Sequence, residues 1–447
     1  MLFSEWTNDH VLLLFFLLAV VFAIAVRLGI KRGGWNQHLP YMFTLIISIQ
    51  YYLLSPLYFY LTGKKIIIGT DISDYYGLGV FFPLLGMLFF LPGYWLVNRK
   101  TKVVEIPKLL KPPTPKVGRY IIILFCIIYS MVLINMAISG IEIGNVFLGD
   151  ETLGLGAKGE TYFLQNFADS LISLVIMGYI YGTNRRLLIV GIIISFFLFS
   201  LLGFRYRILL TLFGLAFAYL YFHRLQARTV VVGIVSMLIF FYFVMLITEN
   251  RFLLIQKEYS QLNIDPLDFD YSNYFEQTRG SLADMAIYKV YDNPNKVVSH
   301  DYGASMFGYI FVRMIPRVVY PDKDEFYPPP QNKVQFIAYD AWWSRVSGEA
   351  ILSCACFYIA FGWFGIILFH FFWGVLLAKL KIKLNLNNRI QLVLYIVVAL
   401  VSFQWITRAY LPQAIDHAVY LSIPIFILRY FIKSESRVSV PLKAIKI

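Results

Sequence analysis

The sequence has few of the residues that build disulfides, metal sites and nucleotide-binding loops. Its 447 residues include three cysteines, Cys126, Cys354 and Cys356, all inside apolar stretches. On a helix, the thiols of Cys354 and Cys356 point in different directions, so we expect apolar packing rather than a disulfide. There is no GxxxxGK[ST] loop, no HExxH pair and no dense His/Cys cluster, which argues against an ATP motor and a zinc site. We therefore expect neither a metal nor another cofactor.

Charged residues are also scarce. They make up 15% of the chain, whereas apolar residues make up 59%. Apolar stretches of roughly 17 to 30 residues follow one another, each long enough to cross a bilayer core of about 30 Å. This pattern is typical of a polytopic membrane protein, and it predicts about eleven transmembrane helices. They are expected near residues 10–30, 40–61, 77–97, 119–139, 161–183, 187–203, 208–222, 229–248, 349–378, 390–406 and 417–433.

Acidic residues are nearly absent from one side of this predicted topology. With the N-terminus outside, the inner side receives 23 of the 39 basic residues but only 2 of the 26 acidic ones, Glu105 and Glu435. Lys and Arg in short loops bias a membrane protein toward this orientation. The net charge of +13 is therefore interpreted as a topology signal and not as a sign of nucleic-acid binding. No basic residue precedes the first stretch, so we expect a retained span rather than a cleaved signal peptide.

One long polar segment interrupts the apolar stretches. Residues 249–348 carry 13 acidic and 10 basic side chains and are predicted to form a large loop on the outer face. The predicted organisation is a bundle of about eight spans over 1–248, this loop, a bundle of about three spans over 349–433 and a basic cytoplasmic tail over 434–447. A membrane protein that gathers its polar residues in one loop is expected to carry out its chemistry there.

Two arginines lie in a short loop on the predicted outer side, where few basic residues are expected. Arg205 and Arg207 occupy the turn GFRYR, which joins two predicted spans at the outer face. One interpretation is that they extend to lipid headgroups. The other is that they bind an anion, because guanidinium holds phosphate oxygens by paired hydrogen bonds and keeps its charge.

The predicted outer loop contains two short structural elements. A helix over Asp270–Asp292 is expected to lie on the membrane or on the bundle, with Arg279 on it, and Asp284 and Lys289 could simply face water. The apolar stretch Met306–Ile315 is too short to span, and Pro316 breaks it. This second stretch therefore favours a re-entrant or interfacial element.

The end of the loop holds further charged candidates. Arg317 lies in the run IPRVVYPDK, and Arg345 is four residues before Glu349. Arg345 and Glu349 either pair on one helix face or act at the mouth of the bundle as an acid/base or sugar-hydroxyl contact.

The last predicted outer loop, WITRAYLPQAIDHAVY, contains Arg408, Asp416 and His417. His417 is either a satisfied interfacial residue or a base, because histidine is suited to moving protons near neutral pH. Asp416 could orient it only if the backbone turns between them. Asp169, inside its own predicted span, could pair with one of the outer arginines.

Residues 200–380 resemble a known family. GFRYR in a tight outer turn, a large outer loop with IPRVVYPDK, and GEAILSCACFYIAFGWFGIILFHFFWGVLLAKL are similar to the Wzy-type oligosaccharide repeat-unit polymerases of O-antigen and capsular polysaccharide biosynthesis. Arg205 matches the arginine of the family's Gly-x-Arg-like turn, Arg317 that of its Ile-Pro-Arg run, and Glu349 its Gly-Glu. Tyr320 stands where the family often has tryptophan.

The resemblance implies an all-α polytopic glycosyltransferase of the lipid-phosphate-dependent, GT-C-like kind in the bacterial plasma membrane, with an outward-facing active site. It would transfer a growing glycan from undecaprenyl pyrophosphate to a sugar hydroxyl of the next lipid-linked repeat unit, without metal or cofactor. Membrane lipids and a chain-length-regulating co-polymerase are the further implied partners. A lipid-linked oligosaccharide flippase, another polytopic carrier and an O-antigen ligase are the alternatives.

Such a reaction needs cationic groups for the leaving pyrophosphate and a base for the acceptor hydroxyl. The expected base is His417 or Glu349. The arginines expected to bind pyrophosphate or glycan are Arg205, Arg207, Arg279, Arg317, Arg345 and Arg408.

Overall fold

A computed structural model describes most of the chain. The described residues are 7–67, 69–99, 115–138, 164, 166–201, 205–223, 259–276, 278–292, 299–312, 319–322, 351–384, 388–408 and 411–438, with single positions between 231 and 253 and at 315. Nearly all of them are helical. The sheet within these ranges is a two-residue antiparallel pair, β1 (Ile66–Ile67) with β2 (Thr70–Asp71).

The described part of the chain contains α-helices of four to 31 residues. They are α1 (Asn8–Lys31), α2 (Gly34–Ser48), α3 (Ser55–Leu61), α4 (Tyr76–Asn98), α5 (Pro115–Ile138), α6 (Asp169–Ile180), α7 (Arg185–Leu201), α8 (Arg205–Phe222), α9 (Ser272–Glu276), α10 (Gly280–Asp292), α11 (Tyr309–Val312), α12 (Ser353–Lys383), α13 (Arg389–Thr407) and α14 (Leu411–Val438). Turns of 3₁₀ helix lie at Ser73–Tyr75, Asn166–Ala168 and Tyr259–Gln261, and turns of π-helix at Ile49–Leu54 and Ala304–Gly308.

Seven helical segments of the described chain are long and apolar enough to cross a membrane. They are Asn8–Lys31, Gln37–Leu61, Ser73–Asn98, Lys116–Ile138, Ser353–Lys383, Arg389–Thr407 and Leu411–Ile432. Their outward side chains are apolar; Leu13 and Phe16 of α1, for example, are 54% and 63% exposed. Large apolar side chains in such numbers are stable on a surface only where lipid covers them. The chain is therefore an all-α polytopic membrane protein, as predicted.

Each of these segments coincides with a predicted span. The shorter apolar helices Asn166–Ile180 and Tyr206–Phe222, together with α7, coincide with three more. Only isolated positions of the span predicted near 229–248 are described. The total of eleven spans stays a prediction.

The chain divides into two compact units, each assembled from segments distant in sequence. Unit 1 comprises Met1–Val104, Leu225–Lys383 and Val401–Ile415. Unit 2 comprises Glu105–Arg224, Leu384–Leu400 and Asp416–Ile447. The boundaries predicted at residues 248, 348 and 433 concern membrane topology and stay predictions.

In unit 1, α4 and α12 pack with their backbones in close contact. A Cβ atom on Gly93 would clash with the carbonyl oxygen of Phe371, and one on Gly374 would clash with that of Phe90. Small residues at crossing points allow membrane helices to approach in this way. The two glycines therefore allow the backbones of α4 and α12 to come into contact.

The helix α12 is broken at Phe361 and Gly362. Gly362 has φ 64° and ψ −154°, a conformation that is open essentially to glycine alone. A Cβ atom there would also lie 3.2 Å from Nε2 of His300. The stretch predicted as one span near 349–378 is thus two helical pieces joined at a glycine.

The helix predicted over Asp270–Asp292 is also two helices, α9 and α10. Most of α10 is buried against α4 and α12, which agrees with the predicted position on the bundle. The expectation that Asp284 faces water is wrong, because Asp284 is 2% exposed. Its Oδ1 atom accepts a hydrogen bond from the backbone N–H of Leu352 at 2.8 Å, just before α12 begins. Burial raises the pKa of the Asp284 carboxyl well above its usual value.

In unit 2, α6 lies in the interior. All of its side chains except that of Tyr179 are buried. At Gly214 of α8 a Cβ atom would clash with the side chain of Ile176 in α6, so these two helices also pack closely. This packing brings the first turns of α6 and α8 together.

Candidate active site

Three helices of unit 2 each contribute one polar side chain to a buried cluster. Asp169 is the first residue of α6, Arg207 lies in the first turn of α8, and His417 lies in the second turn of α14. Their exposed fractions are 3%, 0% and 3%. The cluster therefore joins the first turns of α6 and α8 to a histidine in the second turn of α14.

Arg207 is held by two acceptors. Its Nε atom donates to Oδ1 of Asp169 at 2.5 Å, and its Nη2 atom donates to Oδ1 of Asn166 at 3.3 Å. The guanidinium carbon also lies 5.6 Å from the centroid of the Tyr206 ring. Because this ion pair is buried, removing one partner would leave an uncompensated charge at a cost of about 3–5 kcal/mol.

The other oxygen of Asp169 orients His417. Nδ1 of the imidazole lies 3.1 Å from Oδ2 of Asp169. A carboxylate only accepts hydrogen bonds, so Nδ1 carries a hydrogen, and in the neutral imidazole Nε2 presents a lone pair. Nε2 is buried and has no hydrogen-bond partner within the described ranges. This is the arrangement of a histidine oriented to accept a proton.

The surroundings of the cluster favour a negatively charged ligand. The amino ends of α6 and α8 carry partial positive charge from N–H groups that have no partner within the helix. Ser170 Oγ donates to the carbonyl oxygen of Tyr420 at 2.6 Å, and the rings of Phe167 and Tyr420 meet edge to face, so α6 and α14 are fixed together. Because water is excluded, the electrostatic interactions of these charges and dipoles are stronger than they would be in water.

A second group of polar side chains lies in unit 1 and is called the tyrosine cluster here. Tyr358 of α12 meets Tyr288, Tyr291 and His300 edge to face, with ring centroids 5.2, 5.6 and 5.4 Å apart. The hydroxyl groups of Tyr288 and Tyr291 and the Nδ1 atom of His300 are buried and have no hydrogen-bond partner in the part of the chain described. Burial raises the pKa of both hydroxyl groups, so they remain donors. Tyr288 is 1% exposed, so the cluster belongs to the packed interior of unit 1.

The other arginines predicted for the site have different surroundings. Arg279, in unit 1, donates from Nη1 to Glu276 at 3.0 Å, and Glu276 also pairs with Lys64. Arg408, also in unit 1, follows α13, is half-buried and makes no ion pair with a described carboxylate. The structure therefore places Arg279 in an ion-pair network. Among the predicted residues whose side chains it describes, it brings Arg207 and His417 into one cluster.

Several predicted residues lie outside the described part of the chain. They are Arg317, Arg345 and Glu349, and also the side chain of Arg205, whose backbone begins α8. Their roles stay predictions.

The carboxylate that orients His417 is Asp169 and not Asp416. Asp416 and His417 are consecutive residues of α14, and neighbouring side chains on a helix point about 100° apart. The expectation that Asp169 pairs with an outer arginine is confirmed for Arg207. The sequence signal for Asp169 was a carboxylate within an apolar stretch, which is costly unless it is paired. Its hydrogen bond to His417 had no signal in the sequence.

Within the residues described, no three His, Cys, Asp or Glu side chains are grouped so that they could hold a metal ion. No protein-family model matches the chain, and no curated protein or solved structure matches it either. Function must therefore be inferred from the residues and their geometry.

Proposed function

We propose that the protein is a membrane glycosyltransferase that extends a lipid-linked glycan, with His417 as its base. The observation that supports this most directly is the hydrogen bond from His417 to Asp169, which leaves Nε2 buried and ready to accept a proton. Transfer from a polyprenyl pyrophosphate needs such a base and positive charge for the leaving group, but no nucleotide. The resemblance to the Wzy-type polymerases suggests undecaprenyl-pyrophosphate-linked oligosaccharide as donor and the next repeat unit as acceptor.

In the proposed step, His417 removes the acceptor proton. The oxygen of the acceptor hydroxyl attacks the anomeric carbon of the donor, and the bond from that carbon to the pyrophosphate oxygen breaks. The hydroxyl proton moves to Nε2 of His417, and the pyrophosphate leaves with the bonding electron pair. Asp169, hydrogen-bonded to Nδ1, stabilises the imidazolium that forms.

Arg207 acts in this proposal as a positioning residue. Its Nε and Nη2 atoms bind Asp169 and Asn166, so its guanidinium fixes the carboxylate that orients the base. We assign contact with the leaving pyrophosphate to Arg205, two residues earlier in α8, and to the amino ends of α6 and α8. Guanidinium binds phosphate oxygens by two parallel hydrogen bonds, which an ammonium group cannot do.

One observation favours a second candidate. A buried Asp–Arg–His group inside apolar helices is also the kind of group that carries protons through a membrane carrier. A proton-coupled flippase for lipid-linked oligosaccharide would therefore use the same residues. An O-antigen ligase would use nearly the same chemistry as the polymerase.

Deleting the gene in the source organism and complementing it with variants separates these functions. Loss of a polymerase leaves single repeat units at the cell surface, whereas loss of a flippase leaves them on the inner leaflet. Loss of a ligase leaves finished polymer on the undecaprenyl carrier. We expect single surface repeats in the deletion strain and in the strain carrying His417→Gln.

The matched control is His370→Gln. His370 is also buried, at 2% exposure, and its Nδ1 atom hydrogen-bonds to the carbonyl oxygen of Ile366 at 2.8 Å, far from the cluster in sequence. This variant should restore the full ladder of chain lengths. A full ladder from His417→Gln at normal protein level would rule out the proposed role of His417.

A further inference from the structure

An open groove of about 520 Å³ lies on unit 1 between α1 and the π-helical turn Ile49–Leu54. The lining residues that matter here are Ala19, Ala23, Arg27, Lys31, Ile49 and Leu53. The four residues from α1 are spaced four apart, so they form one stripe along a single face of the helix. The groove is therefore lined mainly by apolar atoms, and the side chains of Arg27 and Lys31 border it at the carboxyl end of α1.

The shape of the groove follows from small side chains on one side and a widened turn on the other. Ala19 and Ala23 leave space where larger residues of α1 would fill it. The π-helical turn supplies Ile49 and Leu53, and such turns are frequent at functional sites. Both chain segments therefore contribute to the volume of the groove.

The length of the groove matches one leaflet of a bilayer. From Ala19 to Lys31 the helix rises about 18 Å. The hydrocarbon of one leaflet is about 15 Å thick, half of the bilayer core. A lipid acyl chain that lies along Ala19 and Ala23 would therefore place its headgroup beside Arg27 and Lys31.

The charge at the basic end selects among lipids. Arg27 and Lys31 are exposed and make no ion pair with any described carboxylate. Both lie on the side that the charge asymmetry of the sequence predicts to be cytoplasmic. Basic pockets between helices on this side bind anionic headgroups, and each Lys or Arg near the surface contributes about 1 kcal/mol.

From this geometry we propose that the groove binds an anionic glycerophospholipid of the inner leaflet. One acyl chain lies against Ala19, Ala23 and Leu53, and the phosphate diester contacts Arg27 and Lys31. The proposal does not depend on the reaction that the protein catalyses, since every lining residue belongs to unit 1 and none belongs to the buried cluster of unit 2.

The test is native mass spectrometry of the full-length protein in detergent, titrated with phosphatidylglycerol or phosphatidylcholine of identical acyl chains. The double variant Arg27→Gln/Lys31→Gln removes the proposed phosphate contacts. The matched control is Lys379→Gln/Lys383→Gln, which removes two exposed lysines four residues apart near the end of α12, outside the groove. Ala23→Leu fills the groove without changing charge.

The wild-type protein and the control should bind phosphatidylglycerol more tightly than phosphatidylcholine. The Arg27→Gln/Lys31→Gln variant should bind phosphatidylglycerol about thirtyfold more weakly than the wild-type protein does. Ala23→Leu should weaken the binding of both lipids. Equal binding of the two lipids by the wild-type protein would overturn the proposal. An equal loss in the Lys379→Gln/Lys383→Gln control would also overturn it, because binding would then follow net charge and not the groove.

Discussion

Nδ1 of His417 lies 3.1 Å from Oδ2 of Asp169, and Oδ1 of the same carboxylate lies 2.5 Å from Nε of Arg207. One carboxylate therefore fixes both a histidine and an arginine that belong to different helices. Buried ion pairs stabilise a fold only weakly compared with apolar packing, because removing charges from water is costly. An arrangement of this kind is more readily explained by the chemistry that it permits than by stability.

The first prediction is that Asp169 and His417 act as one unit in catalysis. His417→Gln and Asp169→Asn should each lower the rate of glycan extension by roughly a hundredfold or more, because the base is lost or loses its orientation. The double variant should be little slower than either single variant. The measurement is single-turnover extension of lipid-linked repeats by purified enzyme. If the rate of the double variant fell by the product of the two single-variant reductions, the two residues would act independently.

The second prediction concerns the stability of the buried ion pair. Arg207→Met and Asp169→Asn should each lower the free energy of unfolding by about 3–5 kcal/mol, because each leaves one buried charge alone. The double variant should lose at least about 1 kcal/mol less than the sum of the single losses. Unfolding in mixed micelles, followed by helical circular dichroism, measures all four proteins. Losses that add within about 0.5 kcal/mol would show that the two charges do not interact.

The third prediction follows from the raised pKa of Asp284. In the folded protein burial keeps this carboxyl protonated, whereas in the unfolded chain it loses its proton above a pH of about 4. The contribution of Asp284 to stability is therefore complete at acidic pH and falls as the pH rises toward its folded-state pKa. Asp284→Asn should remove this dependence and keep the hydrogen bond from Leu352.

The stability difference between Asp284→Asn and the wild-type protein should consequently shift in favour of the variant between pH 5 and pH 8. Thermal unfolding in detergent at several pH values measures this difference. A constant difference across the range would mean that Asp284 has an ordinary pKa in the folded protein. Asp270, which is exposed and whose pKa is lowered by its bonds to Ser272, provides the contrasting variant Asp270→Asn. Because the contribution of Asp270 is lost as the pH falls, Asp270→Asn should gain stability relative to the wild-type protein at acidic pH.

The fourth prediction concerns the break in α12. Gly362→Ala should destabilise the protein by about 1–3 kcal/mol, because its backbone conformation disfavours any Cβ atom and His300 occupies the nearby space. The matched control is Gly308→Ala, where a Cβ atom would meet no atom within 4 Å. The melting temperature of each variant is the readout. Equal melting temperatures for Gly362→Ala and the wild-type protein would show that the break is not required.

The fifth prediction is the membrane topology. Cysteines introduced at Ser260 and Ser299 should react with an impermeant thiol reagent in intact cells, and one at Asn388 should react only after permeabilisation. All three positions are exposed, so packing does not block the reagent. The background protein is Cys126→Ser, because Cys126 is the exposed native cysteine and Cys354 and Cys356 are buried. Labelling at Asn388 in intact cells would reverse the predicted orientation.

The sequence alone determined the class of the protein and the positions of seven helices that are long and apolar enough to cross a membrane. A span is recognised from about 20 consecutive residues, since crossing the bilayer requires that length of apolar helix with its backbone bonded internally. Positions such as Arg207 and His417 were also recognisable, because polar groups are costly beside apolar spans. Neither inference required knowledge of which helices are neighbours.

The tertiary structure alone decided which side chains meet. Asp169 and His417 are 248 positions apart, and no local pattern connects them. The burial of Asp284 likewise depends on the packing of α10 against α4 and α12, whereas its own sequence neighbours allowed it to face water. Hydropathy is a property of short segments, but a hydrogen bond between distant residues depends on how whole helices pack, and only the folded chain determines that packing.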